Sequence, residues 1–168
     1  MGLGDINFLI VDVDGVLTDG RIFCSDKGKE LKVFHVKDGS GIAFWHRAGK
    51  KTAIISGRKS KAVEHRAKEL GIEEVYQDAH KKLDAYEKIL KKHGLKDEEV
   101  CYIGDDLIDL PVLGRVGFAV AVVDSPPDVL QGVDYVTRAA GGQGAVREVV
   151  EKILRFQGKW EDILKRYI

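Results

Sequence analysis

Acidic residues cluster directly after two apolar runs of the sequence, where their charges would repel one another. FLIVDVDGVLTDG, residues 8–20, places Asp12 and Asp14 after one run. CYIGDDLIDLP, residues 101–111, places Asp105 and two further aspartates after another. Like charges this close are costly unless a cation or a reaction uses them. Carboxylate oxygens with room for water suit Mg²⁺ better than Zn²⁺, which favours His or Cys, so we predict that Asp12, Asp14 and Asp105 converge on Mg²⁺.

Hydrogen-bond donors for an anion follow two other apolar runs. IISGR places Ser56, Gly57 and Arg58 at the opening of a predicted helix, where a hydroxyl and a backbone N–H can bind a phosphate oxygen. HKKLD places two lysines at another helix start, where a cation is unfavourable without an anionic partner. We select Lys82, which directly precedes an apolar residue. These donors predict a phosphate site near the carboxylates.

Five short apolar runs and a weaker sixth alternate with segments of helical period. The runs cover residues 8–11, 52–55, 75–76, 100–103, 118–123 and 135–136, and the predicted helices cover residues 40–48, 60–70, 82–93, 106–113 and 145–156. This alternation predicts an α/β fold, a Rossmann-like doubly wound parallel sheet in strand order 3-2-1-4-5. That order sets the strands before Asp12 and Asp105 side by side at the reversal where ligands bind.

Length and composition predict one globular domain over residues 1–168. Lysine plus arginine and aspartate plus glutamate both number 27, so the formal net charge is zero and no overall basic field favours nucleic acid. No apolar run approaches the roughly 18 residues of a membrane span. The two cysteines lack metal-ligand or redox spacing, which is typical of a reducing compartment. We expect a cytoplasmic protein that binds neither nucleic acid nor membrane.

The segment over about residues 20–37 breaks the strand–helix alternation. RIFCSDKGKELKVFHVK alternates apolar and polar residues around a DKG turn, which predicts a β-hairpin insertion. The alternation slips at Val33 and Phe34, which indicates a bulge. Because apolar residues lie on more than one face, the hairpin either packs on its own domain or forms a subunit interface.

The motifs together resemble a known superfamily. DVDGVLTDG, IISGR, Lys82 and GDDLID match, in order, the four motifs of the haloacid dehalogenase superfamily of phosphohydrolases. DGRIFCSDKGKELKVFHVKDGSGI, AIISGRKSKAVEHRAKELGI, YIGDDLIDLPVL and AAGGQGAVREVVEKIL resemble the 3-deoxy-D-manno-octulosonate 8-phosphate phosphatases of lipopolysaccharide synthesis. This similarity extends over roughly residues 8–158.

The resemblance implies hydrolysis through an aspartyl-phosphate intermediate. Asp12 is the implied nucleophile, and Asp14 is implied to protonate the leaving sugar oxygen and then to deprotonate water. The implied Mg²⁺ ligands are Asp12, the main-chain carbonyl of Asp14, and Asp105.

Other residues are implied to bind the substrate. Ser56, Gly57 and Lys82 would hold phosphoryl oxygens, with Asp109 orienting Lys82 or a metal-bound water. Arg58 and Arg66 would bind the substrate carboxylate or phosphate, Arg66 in the site of an adjacent subunit.

The resemblance also bears on assembly. The chain has no room for a cap domain, and the resembled phosphatases are homotetramers in which a neighbour covers the site. KDGSG, residues 37–41, would face the entrance. The roles of the loop over residues 141–144 and of the tail over residues 158–168 stay open. The alternatives are a phosphatase for a nine-carbon sugar-acid phosphate and a non-catalytic tetramerisation module.

Overall fold

The structure is a computed structural model that describes residues 2–168, in which six parallel strands form the main sheet. The strands of this part of the chain are β1 (Phe8–Val11), β2 (Phe23–Cys24), β3 (Glu30–Leu31), β4 (Lys51–Ile55), β5 (Glu74–Tyr76), β6 (Val100–Gly104), β7 (Phe118–Ala121) and β8 (Tyr135–Val136). The main sheet has the order β5-β4-β1-β6-β7-β8. The predicted α/β doubly wound sheet is confirmed, and β8 extends the order 3-2-1-4-5 by one strand.

The central strands end level with one another, which positions the site. Val11 of β1 is in register with Ile54 of β4 and with Ile103 of β6. Every residue of β1 and β6 is buried, as expected for parallel strands covered on both faces. The residues that follow these three strands therefore meet at one edge of the sheet.

Helices cover both faces of the sheet. Those of residues 2–168 are α1 (Val36–Arg47), α2 (Lys61–Glu69), α3 (Lys82–His93), α4 (Leu110–Leu113), α5 (Pro127–Leu130), α6 (Ala145–Phe156) and α7 (Trp160–Leu164). One core cluster joins the sheet to α1, α2, α6 and α7, and a second joins it to α3, α4 and α5. None of the described helices has the length and apolar composition that a membrane crossing requires.

The insertion predicted over residues 20–37 forms a short hairpin. β2 and β3 pair antiparallel, with Phe23 opposite Leu31. The bulge predicted at Val33 and Phe34 is wrong, because the ladder ends at Leu31 and the chain then leaves it toward α1.

Two helices differ from their predicted bounds because of local capping. α1 begins at Val36 rather than at residue 40, since the ring of His35 accepts a backbone hydrogen bond from its first turn. The helix predicted over residues 106–113 is divided into a 3₁₀ turn at Leu107–Asp109, capped by Asp106, and the short α4.

The KDGSG segment, residues 37–41, is expected to face the site entrance, but in the structure it packs into the protein. Asp38 is buried, and its carboxylate accepts hydrogen bonds from the N–H groups of Gly144 (3.1 Å) and Arg147 (3.0 Å), so it caps α6. A Cβ at Gly41 would lie 2.9 Å from the Cα of Arg147. Gly41 therefore allows the close packing of α1 against α6.

The loop before α6 packs directly on the loop that follows β1. The N–H of Gly142 donates to the carbonyl of Val16 at 2.9 Å. A Cβ at Gly141 would lie 1.7 Å from the carbonyl oxygen of Gly15. The GGQG segment thus supports the segment that carries Asp12 and Asp14.

The tail over residues 158–168 folds back on the domain. Trp160 is buried and packs edge-on against Phe44 at 5.7 Å between ring centroids. Nη1 of Arg47 donates to the hydroxyl of Tyr167 at 2.6 Å. The amphipathic pattern of the tail is explained by this packing.

Gly141→Ala is expected to lower the melting temperature by roughly 2–12 °C, because the added methyl group overpacks the contact with Gly15. Thermal denaturation followed by circular dichroism measures the effect. Gly132→Ala is the control, since its Cβ would meet no atom nearer than 3.8 Å. Equal melting temperatures for the two variants would contradict the close contact between the loops.

Candidate active site

Three carboxylates meet beyond the carboxyl ends of β1 and β6. Asp12, Asp105 and Asp109 each offer an oxygen, and these oxygens all lie within 4.8 Å of one another. Asp12 directly follows β1 and Asp105 directly follows β6, while the Leu107–Asp109 turn brings the third carboxylate back over them. Their mutual repulsion is strong because the site is largely withdrawn from water.

Lys82, the first residue of α3, brings a buried ammonium to these carboxylates. Its Nζ lies 2.8 Å from Oδ2 of Asp12 and 2.6 Å from Oδ1 of Asp109. Burial lowers the pKa of Lys82, but the two carboxylates outweigh burial, so the pKa is raised overall and the ammonium form is favoured. Within the chain, these carboxylates are the anionic partners predicted for a lysine at this helix start.

Asp109 holds the site together through both of its oxygens. Oδ1 accepts hydrogen bonds from Lys82 and from the hydroxyl of Tyr102. Oδ2 accepts from the N–H groups of Asp105 (3.0 Å) and Asp106 (3.2 Å). Because its acceptor sites are occupied in this way, Asp109 suits the positioning of Lys82 better than the binding of a metal ion.

Burial shifts the ionisation of the other two carboxylates. It raises the pKa of Asp12 to about 6, with Lys82 opposing the shift and Asp109 adding to it. It raises the pKa of Asp105 to about 8, and the charges of Asp12 and Asp109 add to that shift. The cluster therefore resists full ionisation unless further positive charge joins it.

The donor set fits a divalent cation. Oδ1 of Asp105 is buried and accepts no hydrogen bond from any residue in the range 2–168. A Cβ at Gly15, whose φ is +90°, would lie 2.0 Å from Oδ2 of Asp105, so the glycine lets that carboxylate approach the loop after β1 closely. Three carboxylates and one ammonium leave a formal charge of −2, and oxygen donors are those that a hard cation such as Mg²⁺ prefers.

The side chain of Asp14 does not join the cluster, which differs from the predicted convergence of Asp12, Asp14 and Asp105. The strand ends before it, and the carbonyl of Val13 accepts three N–H groups in a tight turn. This turn directs Asp14 to the hairpin, where its Oδ1 accepts a hydrogen bond from Lys32. The proposed metal contact of Asp14 is through its main-chain carbonyl, which the side-chain position leaves unaffected.

Two hairpin residues complete an ion-pair network around Asp14. Glu30 lies 3.1 Å from Nζ of Lys32 and 2.5 Å from Nη2 of Arg58. Burial raises the pKa of Glu30, but the neighbouring cations of Lys32 and Arg58 outweigh burial and lower it overall. Sequence reasoning missed both hairpin residues, although their spacing of two places them on one face of a strand.

A cavity of about 370 Å³ opens beside the carboxylates. Its lining residues are Asp12, Asp14, Ser56, Gly57, Arg58, His80, Lys82, Asp105, Asp106 and Ile108. The predicted phosphate ligands Ser56, Gly57 and Lys82 therefore share one cavity with the predicted nucleophile. Sequence analysis did not identify His80 and Ile108 as lining residues, because whether these side chains face the cavity depends on tertiary packing.

Arg66 lies outside the residues that line this cavity. Its guanidinium pairs with Glu69 at 2.9 Å and lies over the ring of Phe34 at 5.6 Å. A Cβ at Gly39 would lie 2.4 Å from its Nη2. Arg66 thus does not contact the site of its own chain, and its role in a neighbouring site stays a prediction.

Comparisons with known proteins agree with this geometry. A family model described as haloacid dehalogenase-like hydrolase matches residues 30–117. The 3-deoxy-D-manno-octulosonate 8-phosphate phosphatase KdsC of Escherichia coli is 49% identical over 158 residues, which are 94% of this chain and 84% of that relative.

Solved structures of related enzymes match the fold closely. The 3-deoxy-D-manno-octulosonate 8-phosphate phosphatase of Moraxella catarrhalis, in complex with magnesium, phosphate and KDO, matches with a TM-score of 0.97 at 39% identity, over 99% of this chain and 95% of that one. The cobalt-bound phosphatase of Haemophilus influenzae matches with a TM-score of 0.91 at 41% identity, over 94% and 92%. The chain therefore belongs to the haloacid dehalogenase-like hydrolases and, within them, to the 3-deoxy-D-manno-octulosonate 8-phosphate phosphatase family of phosphoric monoester hydrolases.

Proposed function

We propose that this enzyme hydrolyses 3-deoxy-D-manno-octulosonate 8-phosphate to the free sugar acid and phosphate, a step in lipopolysaccharide precursor synthesis. The observation that carries the proposal is the meeting of Asp12, Asp105 and Lys82 in one cavity with Ser56 and Gly57. The relatives named above act on or bind this sugar acid, and the similarity to them extends over nearly the whole chain.

Mg²⁺ is the proposed cofactor, held by carboxylate oxygens of Asp12 and Asp105 and by the main-chain carbonyl of Asp14. When bound, the ion supplies positive charge that lets an anionic carboxylate approach an anionic phosphate. The unpartnered Oδ1 of Asp105 and the formal charge of −2 support this assignment.

The proposed reaction uses Asp12 and Asp14 in two displacements. A carboxylate oxygen of Asp12 attacks phosphorus, the bond from phosphorus to the sugar oxygen breaks, and Asp14 gives its proton to that oxygen. Water then attacks phosphorus and gives a proton to Asp14, while the bond from phosphorus to Asp12 breaks. Ser56, Gly57 and Lys82 hold the other phosphoryl oxygens, and Arg58 faces the substrate carboxylate at the mouth.

We further propose a homotetramer in which a neighbour covers the site. The hairpin supports this, because Leu31 and Val33 are 70% and 64% exposed and Ile22 and Phe23 are also largely exposed. Such an apolar edge is typical of an interface between chains. Arg66 is the residue proposed to reach the adjacent site.

The substrate is tested with a panel of phosphorylated 2-keto-3-deoxy sugar acids of eight and nine carbons, compared by kcat/KM for phosphate release. We expect the highest value for the eight-carbon 8-phosphate. A higher value for a nine-carbon 9-phosphate would favour that alternative, and no turnover on any member would favour the non-catalytic module.

Asp12→Asn is expected to lower phosphate release by at least about 10⁴-fold, because an amide is a poor nucleophile toward phosphorus. The variant is compared with Asp128→Asn, which changes an exposed helix residue that does not line the cavity. Circular dichroism checks that both variants fold. Activity of Asp12→Asn near that of the control would remove Asp12 from the nucleophile role.

Mg²⁺ is expected to raise the melting temperature of the metal-free wild-type protein by several degrees at saturation, because it binds only the folded state. Asp105→Asn is expected to lose most of this rise, whereas Asp128→Asn keeps it. The shift is measured by differential scanning fluorimetry over a magnesium titration. An unchanged shift in Asp105→Asn would exclude that carboxylate as a ligand.

Replacing Phe23 and Leu31 together by serine is expected to lower the mass of the assembly, because the pair is cross-strand and exposed. Analytical ultracentrifugation measures the mass, and Lys27→Ser at the hairpin turn is the control. A double variant with the mass of the wild-type assembly would contradict the interface.

A further inference from the structure

Lys32, which follows strand β3 of the hairpin, places a buried ammonium group next to a residue that lines the cavity. The side chain of Lys32 is 1% exposed, and its Nζ contacts Oδ1 of Asp14 and, at 3.1 Å, Oε1 of Glu30. An ammonium withdrawn from water in this way is costly unless it is paired. The pairing partner that lines the cavity is Asp14, the proposed acid and base of the reaction.

The remaining contacts fix the orientation of the Asp14 carboxyl group. Lys32 lies between Asp14 and Glu30, and Glu30 is itself held on its other oxygen by Nη2 of Arg58 at 2.5 Å. Nε of Arg58 lies 3.7 Å from Oδ2 of Asp14, which is beyond hydrogen-bond distance. Among residues 2–168, Oδ2 of Asp14 therefore accepts no hydrogen bond, while Oδ1 is occupied by Lys32.

We propose that Lys32 is a positioning residue for proton transfer at Asp14. This inference rests on the proposed function. Lys32 fixes Oδ1, so that Oδ2 is the oxygen that carries the proton toward the cavity. When that proton passes to the leaving oxygen, Asp14 becomes a carboxylate, and the adjacent ammonium stabilises the new negative charge.

The bonds that form and break in the first displacement determine which substrates the loss of Lys32 should affect. The bond from Asp12 to phosphorus forms as the bond from phosphorus to the leaving oxygen breaks, and that oxygen takes the proton of Asp14. An alkoxide leaving group needs this proton, whereas p-nitrophenolate leaves as an anion. Because kcat/KM includes steps only up to the first irreversible one, it reports this displacement without the later attack of water.

The test measures kcat/KM of Lys32→Met for the sugar-acid phosphate, for a simple alkyl phosphate and for p-nitrophenyl phosphate. We expect a fall of about 10- to 100-fold for the two alkyl esters and of less than about threefold for p-nitrophenyl phosphate. Lys32→Arg is expected to recover much of the loss, since it keeps a cationic donor. Lys29→Met, at an exposed lysine of the same hairpin, is the control.

An equal fall for all three esters would overturn the inference, because it would mean that Lys32 only supports the fold or the assembly. No fall for the alkyl esters would overturn it as well. If Lys32→Met does not fold by circular dichroism, Lys32→Gln replaces it, with the same split expected between alkyl and aryl esters.

The same data separate this inference from the proposed function. If the wild-type enzyme hydrolyses the other two esters but not the sugar-acid phosphate, the proposed substrate is wrong. The comparison of the alkyl ester with p-nitrophenyl phosphate then still decides the role of Lys32.

Discussion

The site depends on the cost of holding three carboxylates together away from water. Asp12, Asp105 and Asp109 share one ammonium, that of Lys82, and the burial that raises the pKa values of Asp12 and Asp105 shows how unfavourable full ionisation is. Such a cluster persists because the sheet fixes the ends of β1 and β6 side by side and because Asp109 is bonded through both oxygens. The unmet charge is negative, so a divalent cation can neutralise it, and with that cation bound an anionic phosphate ester could approach.

The two aspartates of the DVD motif differ because their surroundings differ. Asp12, the proposed nucleophile, is buried against Lys82, which holds it in one place beside positive charge. Asp14 lies past the turn at Val13, contacts the hairpin and lines the same cavity, where its proposed role is to give a proton to the leaving group. Two chemically identical side chains thus suit the separate roles proposed for them, because their burial and partners differ. The proposals give the hairpin a part in proton transfer at Asp14 and in the assembly.

Most of the fold and the centre of the site were predictable from local signals. Strand ends followed by Asp12 and Asp105 marked the crevice, because parallel strands set their carboxyl ends on one edge. The direction of the Asp14 side chain was not predictable, since it depends on a turn whose hydrogen bonds converge on Val13. Lys32 was missed because its contact with Asp14 is a tertiary one, and residues 37–41 were misplaced because the burial of Asp38 depends on α6.

Asp12 is proposed to accept the phosphoryl group, and the phosphorylated enzyme can be trapped as a direct test. The enzyme is mixed with Mg²⁺ and a substrate labelled in its phosphate, quenched in acid within a single turnover, and digested for mass spectrometry. We expect a phosphorylated peptide that contains residues 8–20, with the modification on Asp12. Phosphate release without any labelled peptide, or a label on another residue, would contradict it.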